Sequence, residues 1–129
     1  MLNYEYQLEE ILDISGVDIG RCMKCGRCSA SCPSYDEMEH RPHQFITYLA
    51  RGDVAALLES DALWQCLACF SCVQRCPRDV KPANLIEAVR LAAIRPKGAE
   101  FLTVEEVEAK FAPDMPQQLL VAAFRKYMR

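Results

Sequence analysis

The stretch Cys22-Met23-Lys24-Cys25-Gly26-Arg27-Cys28-Ser29-Ala30-Ser31-Cys32-Pro33 returns, 44 residues later, as Cys66-Leu67-Ala68-Cys69-Phe70-Ser71-Cys72-Val73-Gln74-Arg75-Cys76-Pro77. Both copies spell C-x2-C-x2-C-x3-C-P, and together they use all eight cysteines of the 129-residue chain. An internal repeat of this kind sets the organisation before any single element is read. Three thiolates spaced by two residues can wrap a backbone loop around one cubic cluster and leave N–H groups free to face the sulfurs. The fourth cysteine, turned away by the following proline, reaches the neighbouring cluster, as in two-cluster ferredoxins with this run. Cys22, Cys25, Cys28 and Cys76 are therefore expected on one [4Fe–4S] cluster, and Cys66, Cys69, Cys72 and Cys32 on the other.

Structural zinc is a poorer fit, because it takes pairs of C-x2–4-C ligands and would leave a third cysteine of each run superfluous. A disulfide scaffold needs an oxidising compartment. The opening MLNYEYQLEE has neither a basic nor an apolar signal region, so a cytoplasmic location with reduced thiols is expected. The longest uncharged stretch, Ala62 to Gln74, falls short of the ~18 residues of a membrane span. A net charge of −3 gives no reason to expect nucleic acid.

Working outward from the runs, the chain reads as mostly helical. Tyr4, Leu8, Ile11 and Leu12 share a helical face that Gly16 can stop. Pro42 opens a helix with Phe45, Ile46 and Leu49 inward, ending near Gly52, and Val54 to Glu59 add a turn or two. Pro82 starts a longer one striped by Leu85, Ile86, Val89, Ala92 and Ala93, which Pro96 and Gly98 end. Thr103 and Glu106 form a capping box for an acidic helix closed by Pro113. Pro116 opens a last helix carrying Leu119, Leu120, Ala123, Phe124 and Tyr127 on one side. No segment alternates with period two. Residues 1–20 hold five acids and no base, and residues 115–129 hold Arg125, Lys126 and Arg129 and no acid. These ends are either solvated faces or arms that dock on other subunits.

Little other chemistry is written in the chain. There is no glycine-rich phosphate loop, no Ser/His/Asp set and no H-E-x-x-H motif, so no catalytic residue is assigned. His40 and His43 read as ordinary surface or helix-cap residues, Asp36, Glu37 and Glu39 as a solvated patch, and Trp64 as core packing over a cluster. Arg21, Lys24 and Arg27 interleave the first run, while Arg75, Arg78 and Lys81 follow or close the second. A cation about 8 Å from a cluster gains roughly 2 kcal/mol on reduction at an effective dielectric near 20. Solubilising charge is the equal alternative.

The two runs, in the contexts CMKCGRCSASCPSY and CLACFSCVQRCPRDV, together with the joining segment and Arg95-Pro96-Lys97, resemble the C subunit of soluble heterodisulfide reductase from about Gly20 to Gly98. The resemblance implies an alpha-helical ferredoxin module, similar to the C-terminal half of succinate dehydrogenase iron–sulfur subunits, over residues 20–98. Residues 1–19 and 99–129 would be helical docking arms. It implies a one-electron relay without catalysis of its own. Electrons would pass from a flavin-containing A subunit, which holds FAD and splits electron pairs in flavin-based bifurcation, to a B subunit whose CCG motifs reduce a disulfide. No CCG motif is present here. The same module also serves as the relay of fumarate or succinate, glycolate, glycerol-3-phosphate or acyl-CoA oxidoreductases. A free ferredoxin is the remaining alternative.

Overall fold

The computed structural model describes residues 4–95, 109 and 112–127. The chain divides into two compact units, Met1–Ile94 and Arg95–Arg129. Among the described residues there are helices and turns and no strand.

The first unit is built around α7 (Pro82–Ile94). Pro82 sits at its start, where a missing N–H costs no hydrogen bond. Leu85, Ile86, Ala88, Val89 and Ala92 are buried, on more than one side of the helix. That spread of small and apolar residues lets α7 pack against α1 (Tyr4–Ser15), α3 (Pro42–Ala50), α4 (Val54–Leu58), α5 (Ala62–Gln65) and α6 (Ser71–Arg75). Ile11, Phe45, Leu49, Val54, Leu57 and Leu63 are the fully buried partners in the helices around it. The remaining short elements are a 3-10 turn, Ile19–Arg21, and α2 (Arg27–Ala30).

α1 ends as its sequence suggests. Gly16 is left-handed (φ 62°), and its N–H donates to the Leu12 carbonyl at 3.0 Å, closing the last turn. The helix turns Ile11 into the common core, and Leu8 and Leu12 pack beside it. The amino-terminal segment thus has a packed face within this unit, because the 8, 11, 12 spacing meets α7 and α4. α3 opens at Pro42, and the Gln44 side chain accepts the Arg41 N–H at 2.7 Å, satisfying a donor at the helix start. Asp36, Glu37 and Glu39 are exposed, and Glu39 accepts the Ser60 hydroxyl at 3.1 Å.

In the second unit, α8 (Gln117–Tyr127) follows Pro116, whose carbonyl accepts the Leu119 N–H at 2.9 Å. Leu119 and Val121 are exposed. The expected stops at Pro96 and Gly98 and the Thr103–Glu106 capping box lie outside the described residues. No described helix is long and apolar enough to cross a membrane.

Since α7 is the wall shared by the other helices, Leu85→Ala should lower stability by about 2–5 kcal/mol through lost burial and the cavity left behind. Urea unfolding followed by circular dichroism should show a lower midpoint at unchanged slope.

Candidate metal centre

Each cysteine run opens onto a hollow, and the two are constructed alike. The first is lined by Cys22, Cys25, Cys28 and Cys76, with Lys24, His43, Ile46, Arg78 and Pro82 around them. The second is lined by Cys66, Cys69, Cys72 and Cys32, with Pro42, Leu67, Phe70, Ala83 and Ile86 around them. Each encloses about 330 Å3, counted to its open mouth. Three cysteines of one run and the last cysteine of the other therefore face each hollow.

The backbone explains how so short a loop turns three cysteines toward one hollow. Lys24 (φ 56°) and Gly26 (φ 75°) are left-handed, and so are their counterparts Ala68 (φ 50°) and Phe70 (φ 60°). Each x-residue pair thus curls the chain the same way twice. The Lys24 N–H turns back onto the Cys22 sulfur at 3.4 Å. After Gly26 and Phe70 the chain enters α2 and α6, and the carbonyls of these two residues accept Ser29 and Ala30, and Val73 and Gln74, respectively. Glycine tolerates this conformation without strain, whereas side-chain-bearing residues cost roughly 1–2 kcal/mol each. Beyond Cys76-Pro77, Asp79 (φ 52°) and Lys81 (φ 58°) repeat the device, and the Val80 N–H reaches the Cys76 sulfur at 3.3 Å.

Burial is graded identically in the two hollows. Cys28 and Cys72 are buried, Cys25 and Cys69 exposed, and the other four intermediate. α2 packs on α6, which places Cys28 and Cys72 with Val73 and Ala83 in one small apolar cluster between the hollows. Burial pushes the Cys28, Cys32 and Cys72 thiols up, Cys72 to about 11. The Ser71 hydroxyl and N–H hold Cys69 below its ordinary value. Thiols raised in this way lose their protons at neutral pH only when a cation takes the sulfur, so loading the site releases protons.

The donor set decides what fits. All eight cysteines are free thiols. Among the described residues no three His, Cys, Asp or Glu groups close on a point that would hold a single ion. Four soft sulfurs lining each hollow, three from one C-x2-C-x2-C run and one from the other, suit an iron–sulfur cluster.

Comparison with known proteins agrees with that chemistry. Residues 18–80 match the family described as a 4Fe-4S dicluster domain, which carries two [4Fe–4S] clusters. The chain is also similar, at 34–39% identity, to proteins named as C subunits of heterodisulfide reductases. It is 34% identical over 90 residues to the iron–sulfur C subunit of the CoB–CoM heterodisulfide reductase of Methanopyrus kandleri, covering 70% of this chain and 44% of that one. It is 36% identical over 89 residues to the C subunit of the ferredoxin:CoB–CoM heterodisulfide reductase of Methanosarcina mazei, covering 69% and 55%. With the C2 subunit of the H2/formate:CoB–CoM heterodisulfide, ferredoxin reductase of Methanococcus maripaludis it shares 39% over 69 residues, covering 54% and 37%. The chain thus spans about a third to a half of the length of the relatives it matches.

Some site residues differ from their sequence reading. Trp64 is 57% exposed and lines neither hollow; α5 instead turns Leu63 inward. His43 is no plain surface group, for it lines the first hollow and its Nδ1 lies 2.6 Å from the Ser29 hydroxyl. Arg90 is a site residue that the cysteine spacing does not announce. Its guanidinium donates to the Leu63 and Cys66 carbonyls and pairs with Glu87, tying α7 to the entry of the second run. Its position on α7, one turn past Ile86, is the available signal. Arg90→Met should destabilise the fold by about 2–3 kcal/mol, since charge-assisted bonds to buried carbonyls are lost. Thermal unfolding should show it, with Arg90→Lys recovering only part.

Proposed function

We propose that this chain relays single electrons as an iron–sulfur subunit of a heterodisulfide reductase-type complex. In this reading Cys22, Cys25, Cys28 and Cys76 hold one [4Fe–4S] cluster, and Cys66, Cys69, Cys72 and Cys32 hold the other. Each cluster, when bound, supplies a site that takes up and gives back one electron. Four thiolates fill each cluster's coordination, so no open iron is left for a substrate, and the chain carries no catalysis of its own. The observation that carries the reading is the pair of four-cysteine hollows meeting at Cys28 and Cys72. These two residues share one small apolar cluster where α2 packs on α6. An electron leaving one hollow therefore has a short path into the next.

The partners follow from the same likeness. A flavin-containing partner, with FAD and electron bifurcation residing there, would deliver electrons. A partner with CCG motifs would spend them on a disulfide, in the cytoplasm. The exposed acids Glu9 and Asp13 on α1, and the basic sequence Arg125, Lys126 and Arg129, would serve as docking contacts for such partners.

Anaerobic native purification with mass spectrometry of co-eluting chains tests this directly. Co-elution with a flavoprotein and a CCG-rich chain is the expected result. A different dehydrogenase, or the chain alone, would contradict it. The ligand sets have a separate test. Cys76→Ser should alter the electron paramagnetic resonance of the cluster on Cys22, Cys25 and Cys28 and spare the other; the reverse pattern would overturn the crossed assignment.

A further inference from the structure

The two halves of the site are related residue by residue, which makes their differences informative. A shift of 44 superposes the runs and takes Ser29 to Val73. A shift of 40 relates the helices that wall the hollows, taking Pro42, His43 and Ile46 to Pro82, Ala83 and Ile86. The exchange is reciprocal. Pro42 faces the second hollow while His43 and Ile46 face the first, and Pro82 faces the first while Ala83 and Ile86 face the second.

At the first hollow the related positions hold a polar pair. Ser29 is buried, receives the His43 main-chain N–H at 3.1 Å and meets the His43 ring Nδ1 at 2.6 Å. At the second hollow the same positions are Val73 and Ala83, packed apolar against Cys28 and Cys72. The charges follow the same division. Lys24 and Arg78 line the first hollow, and no charged side chain lines the second. The cation tied to the entry of the second run, Arg90, is matched by Glu87 and engaged with two carbonyls.

We infer that the Ser29–His43 pair and the Lys24 and Arg78 side chains make the cluster of the first hollow the easier of the two to reduce. The inference rests on the two-cluster relay reading given above. An added electron is stabilised by nearby hydrogen-bond donors and positive charge and opposed by apolar surroundings. The second hollow has a hydroxyl of its own, Ser71, 3.4 Å from the Cys69 sulfur, but its lining carries no cation. Electrons therefore run downhill from the Cys66–Cys69–Cys72 side to the Cys22–Cys25–Cys28 side.

The test is a redox titration of the full chain, purified anaerobically with its clusters and followed by electron paramagnetic resonance. The chain should show two separate one-electron steps. Ser29→Val with His43→Ala, which installs the second half's own residues, should weaken the higher-potential step about tenfold, a drop of about 59 mV, and leave the lower one in place. Lys24→Asn with Arg78→Gln, both exposed positions, should lower the same step, with the effect shrinking as salt is raised. The reciprocal Val73→Ser with Ala83→His should raise the lower step. If the first two variants move the lower-potential step, or move neither, the ordering is wrong. Fewer than two [4Fe–4S] centres per chain by iron and sulfide analysis would instead overturn the relay reading.

Discussion

Eight thiols have to be delivered to two points by one short chain, and almost every other feature of the domain answers to that demand. Consecutive cysteines cannot supply four sulfurs to one point when a proline follows the fourth and holds its backbone extended, as at Cys76 (φ −78°, ψ 114°). Each run therefore faces one hollow with three sulfurs and sends its last to the other. This exchange brings α2 onto α6 and sets Cys28 against Cys72. The rest of the first unit closes around that contact, with the first turns of α3 and α7 each contributing to both hollows.

The arrangement is costly for the bare polypeptide. Lys24, Ala68, Phe70, Asp79 and Lys81 are left-handed without being glycine, and all of them lie close in sequence to a cysteine. Cys28, Cys32 and Cys72 have their ionised forms disfavoured by burial. Both costs fall where sulfur would meet metal, so cluster binding would contribute to the folding free energy. The aliphatic core around α7 supplies the remainder. It is a modest core for the length of chain, which is why the helix is buried on several sides.

The cysteine spacing made the metal chemistry readable before any coordinates, because ligand spacing is local. Gly16, Pro42 and Pro82 marked helix ends for the same reason: their backbone restrictions act on one residue. The short helices α2 and α6 were not legible, since so few residues leave no period to detect, and they depend on the left-handed turn just before them. Trp64 misled because a large aromatic beside Cys66 suggests burial, whereas its helix turns Leu63 inward. His43 and Arg90 lie 14 and 24 residues from Ser29 and Cys66, the groups they bond. Such pairs become visible only when the helices carrying them are packed.

The relay proposed here would have to keep distance and potential constant, in place of a substrate pocket. The likeness of the two hollows would serve the first, and the unlike residues around them the second. The most direct check of the whole account is an anaerobic crystal structure phased on the anomalous scattering of iron. Two four-iron centres should appear, one bonded by Cys22, Cys25, Cys28 and Cys76 and the other by Cys66, Cys69, Cys72 and Cys32. Single metal ions, or clusters each held by the four cysteines of one run, would contradict it.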